Sequence, residues 1–310
     1  MSSVNIHTGN CLDILPTMEA GSVNCCVTSP PYFGLRDYGN DEQIGLEETP
    51  EAFVESLVNV FREVKRVLAD DGTLWLNLGD SYFSDTKGSG GKSAKQDSNK
   101  GRRHTTKKFK RTNGIKPKDL IGIPWRVALA LQADGWYLRQ DIIWSKPNPM
   151  PESVTDRCTK AHEYIFLLSK KPKYFYDADA IKEKSLHPGV VSVQTGKGSK
   201  MRSMNGIVPQ HNIIAGETRN KRSVWEVTTK PYSGAHFATF PPDLIKHCIM
   251  AGCPVGGTVL DPFGGSGTTG MVALELGRSA ELIELNPSYV EIIEERTNVT
   301  PGFNFDAIAN

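Results

Sequence analysis

The sequence has no apolar run that approaches the roughly twenty residues of a membrane-spanning helix. Its first ten residues, MSSVNIHTGN, lack the basic and then apolar order of a secretory signal. The six cysteines include no CxxC pair, and the seven histidines form no cluster with metal-ligand spacing. These absences argue against membrane, disulfide-rich and zinc-finger proteins. We therefore expect a cytoplasmic protein that binds neither a metal nor a membrane.

Net charge is also almost absent, but its distribution along the chain is uneven. The chain carries 36 Lys and Arg against 35 Asp and Glu, for a formal net charge of +1. Residues 87–118 hold twelve Lys and Arg with Asp97 as their single acid, and residues 181–222 hold eight against Glu183 and Glu217. Two basic segments on an otherwise acidic chain indicate a polyanionic partner. Two solvated loops would have the same composition and are the alternative.

The order of the predicted elements indicates the fold. A chain of 310 residues, 38% of them hydrophobic, is long enough for one large α/β domain or two ordinary ones. Apolar residues at helical spacing predict a helix over 51–69, capped by Thr49. Further strands and helices alternate along the chain, with strands at 23–30, 73–79, 136–144, 162–169, 258–261 and 280–285, and helices at 124–135, 242–251, 267–276 and 287–296. This alternation favours a doubly wound α/β fold with a mainly parallel sheet.

A glycine-rich turn, DPFGGSGTT, follows the strand at 258–261 and opens a helix. Its glycines allow a ligand to approach the backbone, and the helix N-terminus offers N–H groups. The turn is not a P-loop, since no Lys follows the last glycine, nor a clean GxGxxG dinucleotide motif. Asp261 and Glu284 end successive strands, where Glu284 suits ribose hydroxyls, and together they favour a nucleoside ligand. A purely structural turn and a nicotinamide dehydrogenase remain alternatives.

A second turn, TSPPYFG, follows the strand that begins at residue 23. Its two consecutive prolines fix the backbone and lack N–H groups, so that their carbonyls act only as acceptors. With the Ser29 hydroxyl before them and the Tyr32 ring after them, they form a rigid acceptor site with a stacking face. Such a site suits a flat ring that bears an amino group. A proline-rich turn that merely ends the strand is the alternative.

Together, TSPPY and DPFGGSGTT resemble the paired motifs of the DNA methyltransferases that modify the exocyclic amine of cytosine or adenine. In that family a [DNS]-P-P-[YFW] motif is catalytic, and an F-x-G-x-G turn binds S-adenosyl-L-methionine. The catalytic motif here precedes the cofactor motif by about 230 residues, which resembles the circularly permuted β-class. The resemblance implies a Rossmann-like class I methyltransferase fold with an antiparallel edge strand and a recognition insertion.

The resemblance also implies a division of the chain. Residues 1–180 would form the catalytic half of the methyltransferase domain, with a basic mobile loop at 84–118. Residues 181–222 would be a target-recognition insertion that reads bases in the major groove, and residues 223–310 would form the cofactor-binding half. The partner would be double-stranded DNA, contacted through Arg102, Arg103, Lys107, Lys108, Arg202 and Arg219.

Site residues follow from the same resemblance. The catalytic set is Ser29, Pro30, Pro31 and Tyr32. In it the Ser29 hydroxyl and the Pro30 carbonyl accept hydrogen bonds from the amine, and Tyr32 stacks on a base flipped out of the duplex. In the cofactor set Asp261 meets the methionine ammonium, Glu284 takes the ribose hydroxyls, and Asn10 stands where many relatives have Asp. The whole cofactor set is Asn10, Cys11, Thr239, Phe240, Asp261, Pro262, Phe263, Gly265, Gly267, Thr268, Glu284 and Asn286.

The expected activity is site-specific methylation of DNA. Ser29 favours N4 of cytosine, since relatives that methylate N6 of adenine more often carry Asp in its place. Adenine N6 is the first alternative, an RNA or small-molecule methyltransferase the second, and an inactive DNA binder that senses cofactor the third. The resemblance suggests a prokaryotic or phage-encoded protein. It also suggests a homodimer and a cognate restriction endonuclease as further partners.

Overall fold

The structure of the chain is a computed structural model. It describes residues 2–35, 40, 42–83, 114–186, 188–189, 191–195, 210–214, 216–229 and 240–297. The chain divides into two compact units, one made of Met1–Tyr176 with Ser223–Asn310 and the other of Asp177–Arg222. The first unit contains both motif turns, and its sheet determines where they lie.

Twelve strands are described, and eight of them form the sheet of the first unit. In chain order they are β1 (Val4–Thr8), β2 (Val23–Thr28), β3 (Leu68–Leu78), β4 (Tyr137–Ser145), β5 (His162–Ser169), β6 (Glu183–Lys184), β7 (Val191–Thr195), β8 (Gln210–Ile214), β9 (Thr218–Arg219), β10 (Val224–Glu226), β11 (Thr258–Asp261) and β12 (Ser279–Glu284). The order across the sheet is β1-β12-β11-β2-β3-β5-β4-β10. Because β11 lies between β12 and β2, the ends of three motif-bearing strands are neighbours.

One of the described strands of this sheet is antiparallel, and it is not at the edge. β5 runs antiparallel to β3 on one side and to β4 on the other, while β4 and β10 continue the sheet outward. The expectation of an antiparallel edge strand is therefore wrong. The physical reason is burial: β5 ends in a fully buried apolar run, whereas β4 begins with mostly exposed positions. An apolar run of this kind must be covered on both faces, so it belongs inside the sheet.

Six α-helices lie in the described part of the chain, and they cover both faces of the sheet. They are α1 (Cys11–Ile14), α2 (Pro50–Val67), α3 (Ile123–Ala133), α4 (Pro242–Gly252), α5 (Thr268–Glu275) and α6 (Pro287–Thr297). The Thr49 side chain accepts a hydrogen bond from Ala52 N and caps α2, as the sequence predicts. Leu74 and Leu76 of β3 belong to the core formed with α2 and α3, whereas the Thr73 hydroxyl bonds to Gly252 O of α4. Alternate residues of β3 thus face helices on opposite sides, which makes the fold doubly wound.

The second unit contains short antiparallel pairs. β6 pairs with β9, and β7 pairs with β8. The sequence shows no periodicity over this stretch and therefore predicts none of these strands, nor does it predict the edge strands β1 and β10. Within the described residues, no helix has both the length and the apolar character to cross a membrane.

Candidate active site

The two motif turns and Gly9, which follows β1, line one cleft at the carboxyl ends of the central strands. The cleft has a volume of about 850 Å³ and is lined by residues that follow β1, β2, β3, β11 and β12. In open α/β sheets ligands bind at this edge, where helix N-termini and strand ends present their polar groups. The complete catalytic set and ten of the twelve expected cofactor residues line the cleft. Of the other two, Gly267 does not line it, and Thr239 is outside the described residues.

Asp261 ends β11 and is almost completely buried, with 2% of its surface exposed. Its Oδ1 accepts hydrogen bonds from Thr28 Oγ1 at 2.6 Å and from Phe263 N at 3.1 Å, and its Oδ2 accepts one from Thr269 Oγ1 at 2.6 Å. Burial raises the pKa of this carboxyl above its usual range, although these hydrogen bonds oppose the shift. The site thus has an oriented carboxylate at its floor, suited to a cationic group.

Glu284 ends β12, the strand next to β11, and is also buried. Its Oε2 accepts a hydrogen bond from Gly265 N at 2.7 Å, and its Oε1 accepts one from Asn286 N at 2.8 Å. Burial raises the pKa of Glu284 to about 7, against these two hydrogen bonds. The carboxylate therefore joins the glycine-rich turn to the end of β12, with both oxygens directed toward backbone at the cleft wall.

The glycine-rich turn is hydrogen-bonded to a side chain of α6. Gly265 and Gly267 both adopt positive φ, +56° and +76°, which glycine allows without strain. Arg296 Nη1 donates to Ser266 O and Ser266 Oγ, each at 2.6 Å, and to Thr268 Oγ1 at 3.2 Å. The turn that the sequence assigns to the cofactor is thus fixed by a side chain outside the motif. Arg296 carries no motif signal, and only the three-dimensional fold identifies it.

The TSPPY turn follows β2, the strand next to β11, and also lines the cleft. Ser29 and Pro31 are partly exposed there, and Pro30 is buried. Among the described residues, none hydrogen-bonds to the Ser29 hydroxyl. The Tyr32 hydroxyl donates its proton to Glu163 Oε2 at 2.6 Å, and Asn77 Oδ1 lies 3.4 Å from the same hydroxyl oxygen. The turn therefore provides the Ser29 hydroxyl and the Pro30 carbonyl, which has no proline N–H beside it. It also provides the Tyr32 ring, which is anchored through its hydroxyl.

Three polar residues near Tyr32 are not in the expected catalytic set. Asn77 lies on β3, Lys146 follows β4, and Glu163 lies on β5, and all three line the cleft. Lys146 forms an ion pair with Glu163, and Asn77 Nδ2 donates to Tyr164 O at 3.0 Å. Lys146 stands out in the sequence as a charge at a strand end. Asn77 and Glu163 lie within strands, where no local pattern separates them from ordinary sheet residues.

The other expected cofactor residues have varied surroundings. Asn10 accepts a hydrogen bond from Leu12 N at 3.0 Å and caps α1. Burial raises the pKa of the Cys11 thiol to about 12, so this side chain acts as an apolar wall. Asn286 accepts hydrogen bonds from the N–H and hydroxyl of Ser288. The rest of the set at the cleft consists of Phe240, Pro262, Phe263 and Thr268.

Most of the expected DNA-binding residues lie outside the described residues, namely Arg102, Arg103, Lys107, Lys108 and Arg202. Arg219 is described: its Nε donates to Glu183 Oε1 at 2.8 Å, within the second unit. Lys118, from the last part of the basic segment, forms an ion pair with Asp156 at 2.7 Å. Within the described part of the chain, no group of three or more His, Cys, Asp or Glu could hold a metal ion.

The fold and the cleft define the class of protein. A doubly wound, mainly parallel sheet with one internal antiparallel strand, and two acids at neighbouring strand ends, is a Rossmann-like methyltransferase fold. A family model described as DNA methylase matches residues 23–295. The chain belongs to this family of DNA methylases.

Curated relatives agree with this assignment, and solved structures share the fold. The type II methyltransferase M.Cfr9I of Citrobacter freundii is 48% identical over 296 residues, covering 96% of this chain and 88% of the relative. The type II methyltransferase M.XycI of Xanthomonas campestris pv. cyanopsidis is 50% identical over 291 residues, covering 94% of this chain and 86% of the relative. The PvuII DNA methyltransferase (cytosine-N4-specific) has a similar fold, with a TM-score of 0.64, 18% identity and coverage of 98% and 89%. The structure of TTHA0409 of Thermus thermophilus, complexed with S-adenosyl-L-methionine, has a TM-score of 0.60 and is 24% identical. It covers 98% of this chain and 96% of that protein.

Proposed function

We propose that this chain transfers a methyl group from S-adenosyl-L-methionine to the exocyclic amine of a base in double-stranded DNA, with N4 of cytosine as the favoured target. The observation that carries the proposal is the meeting of the TSPPY turn with Asp261 and Glu284 in one cleft. Membership in the DNA methylase family supports the substrate class. The cofactor complex of TTHA0409 supports the cofactor.

The residues at the cleft fit this cofactor. The buried Asp261 carboxylate suits an ammonium group. Each Glu284 oxygen accepts one backbone N–H and has a second lone pair, which suits a ribose hydroxyl. Gly265 has a positive φ, which favours glycine. The turn therefore has no side chain at this position, where its backbone faces the cleft. When bound, S-adenosyl-L-methionine supplies an electrophilic methyl group on a sulfonium centre. These residues bind and orient it.

The TSPPY turn prepares the amine. An aromatic amine is a poor nucleophile because its lone pair is delocalised into the ring. Hydrogen bonds from the amino protons to Ser29 Oγ and to the Pro30 carbonyl favour a pyramidal nitrogen with a localised lone pair. The two prolines fix the backbone of the turn before the base arrives, so the Pro30 carbonyl stabilises developing positive charge without reorganisation. Tyr32 stacks on the flipped base and holds its plane. After the transfer the methylated amine would release one proton to water, because the Ser29 hydroxyl is a weak base.

Ser29 and the likeness to the cytosine-N4-specific PvuII enzyme support cytosine as the target. Adenine N6 is the second candidate, because the same acceptors would serve its amine. The circularly permuted β-class arrangement is also part of the proposal. The sheet order supports it, since β11 comes late in the chain and yet lies beside β2.

The remaining parts of the proposal concern DNA and partners. Residues 181–222 read the target sequence, and residues 87–118 contact phosphates through their twelve cations. The type II names of the bacterial relatives support a role in restriction and modification, with a cognate endonuclease and a cytoplasmic location. A homodimer completes the set of proposed partners.

The test is mass spectrometry of nucleosides from unmethylated DNA incubated with the protein and isotope-labelled cofactor. Label in N4-methylcytosine is the expected result, whereas label in N6-methyladenine would replace the target base and keep the mechanism. No label in diverse DNAs, despite measurable cofactor binding, would contradict the proposal. Ser29→Ala is the matched variant. It should lower kcat by roughly 10- to 1,000-fold, as loss of one hydrogen bond to the transition state does. The cofactor Kd should stay unchanged.

A further inference from the structure

The ring of Tyr32 is fixed on two sides before any base is present. The Cε2 side of the ring occupies the space that a side chain at Gly79 would need, since a Cβ built there would overlap with Tyr32 Cε2 and approach Cδ2 to 3.0 Å. The hydroxyl at the far end of the ring donates to Glu163 Oε2 at 2.6 Å. The contact with Gly79 limits the ring on one side, and the hydrogen bond to Glu163 anchors its hydroxyl end.

Glu163 is in turn held by its own partners. Its carboxylate forms an ion pair with Lys146, and the two side chains are only 15% and 17% exposed. Asn77 Nδ2 donates to Glu163 Oε2 at 3.4 Å, and Lys146 Nζ lies 4.1 Å from the centre of the Trp144 ring. A partly buried carboxylate needs a counter-charge and donors, and both are present here. The acceptor that Tyr32 uses is thus itself immobilised.

We propose that Glu163, supported by Lys146, is a positioning residue that presents the Tyr32 ring to the flipped base. The inference deepens the proposed function and rests on it. A stacking ring that is already ordered loses no rotational freedom when the base arrives, and it holds the amine at the correct distance from the methyl donor. Glu163 acts through the Tyr32 hydroxyl, and the ring makes the contact with the base.

A double-mutant cycle tests this dependence. Tyr32→Phe, Glu163→Ala and the double variant are assayed for methyl transfer to long, amplified, unmethylated DNA, with kcat and KM measured separately. Each single variant should lower kcat by roughly 10- to 100-fold, the range expected for misplacement of a reacting group. The double variant should be no slower than the slower single variant. Glu163→Gln, which keeps an acceptor oxygen, should recover part of the loss, and the cofactor Kd should stay unchanged in all of them.

Glu275→Ala is the matched control, because it removes an exposed pair with Lys246 at 2.7 Å that lies outside the cleft. It should retain the wild-type kcat. If Glu163→Ala slows the Tyr32→Phe enzyme as much as it slows the wild type, Glu163 acts independently of Tyr32 and the inference is overturned. Where Glu163→Ala does not fold, Lys146→Met, which leaves Glu163 without its counter-charge, replaces it in the cycle with Tyr32→Phe. Failure of the wild-type protein to methylate DNA would overturn the proposed function, and the inference with it.

Discussion

Gly267, the residue before α5, lies directly against Ile293 of α6. A Cβ built on Gly267 would be 2.9 Å from Ile293 Cγ2 and 3.3 Å from Ile293 Cα. The glycine also has a φ of +76°, so two independent constraints act at this position. The sequence assigns Gly267 to close approach by the cofactor, but Gly267 does not line the cleft, and the structure gives a packing reason for the glycine instead. Glycine is needed here for the fold of the turn itself.

Gly267→Ala should therefore lower the free energy of unfolding by about 3 kcal/mol, through strain at positive φ together with overpacking. Gly256→Ala is the matched control. Gly256 has nearly the same φ, +79°, but no atom lies within 4 Å of a Cβ built there, so only the backbone strain of about 1 kcal/mol applies. Chemical denaturation of both variants measures the difference. Equal losses would contradict a packing role for the Gly267–Ile293 contact.

Glu284 should make stability depend on pH. Its pKa is raised from the ordinary 4.5 to about 7 by burial, so the folded protein binds this proton more tightly than the unfolded chain does. The stabilising contribution is complete below about pH 4.5 and is lost as the pH rises through 7, an effect on the order of 3 kcal/mol. The raised pKa of Asp261 acts in the same direction.

Glu284→Gln removes this titration and keeps one acceptor oxygen. Its effect on hydrogen bonding is the same at every pH, so it cannot produce a pH-dependent difference. Without cofactor, the unfolding free energy of the wild type should fall relative to that of Glu284→Gln between pH 5 and pH 8. Parallel curves for the two proteins would show that Glu284 does not titrate in this range.

Glu284 should also determine cofactor affinity, and β12 provides its own control. Glu281 lies on the same strand but outside the cleft, where it bonds to Asn5 and His7. At pH 8, Glu284→Ala should raise the Kd for S-adenosyl-L-methionine by roughly 100-fold, from the loss of charge-assisted hydrogen bonds. Glu281→Ala should change it less than about twofold. Isothermal titration calorimetry measures both, and similar losses in the two variants would remove Glu284 from the proposed ribose site.

The parts of the fold that could be predicted are those with a local signal. Periodicity identifies α2 because its buried residues recur along one helix face, and the apolar run of β5 identifies a strand because consecutive residues are buried. The position of β5 inside the sheet depends on pairing between strands far apart in the chain, and no local pattern encodes it. The same holds for the site. TSPPY and the glycine-rich turn are local motifs, whereas Glu163 reaches Tyr32 across 131 positions of sequence.

The basic segment at 87–118 should dominate the salt dependence of DNA binding. Each phosphate contact that a cation makes releases about 0.9 counterion, so the logarithm of affinity falls linearly with the logarithm of salt concentration. Changing Arg102, Arg103, Lys107 and Lys108 to Gln should reduce that slope by roughly 3 to 4, and should leave cofactor binding unchanged. The control neutralises four cations that pair with other groups outside the cleft, namely Arg62, Lys65, Lys171 and Lys246. Titrations at several salt concentrations measure both slopes. An unchanged slope in the variant of the basic segment would mean that other parts of the chain bind the phosphates.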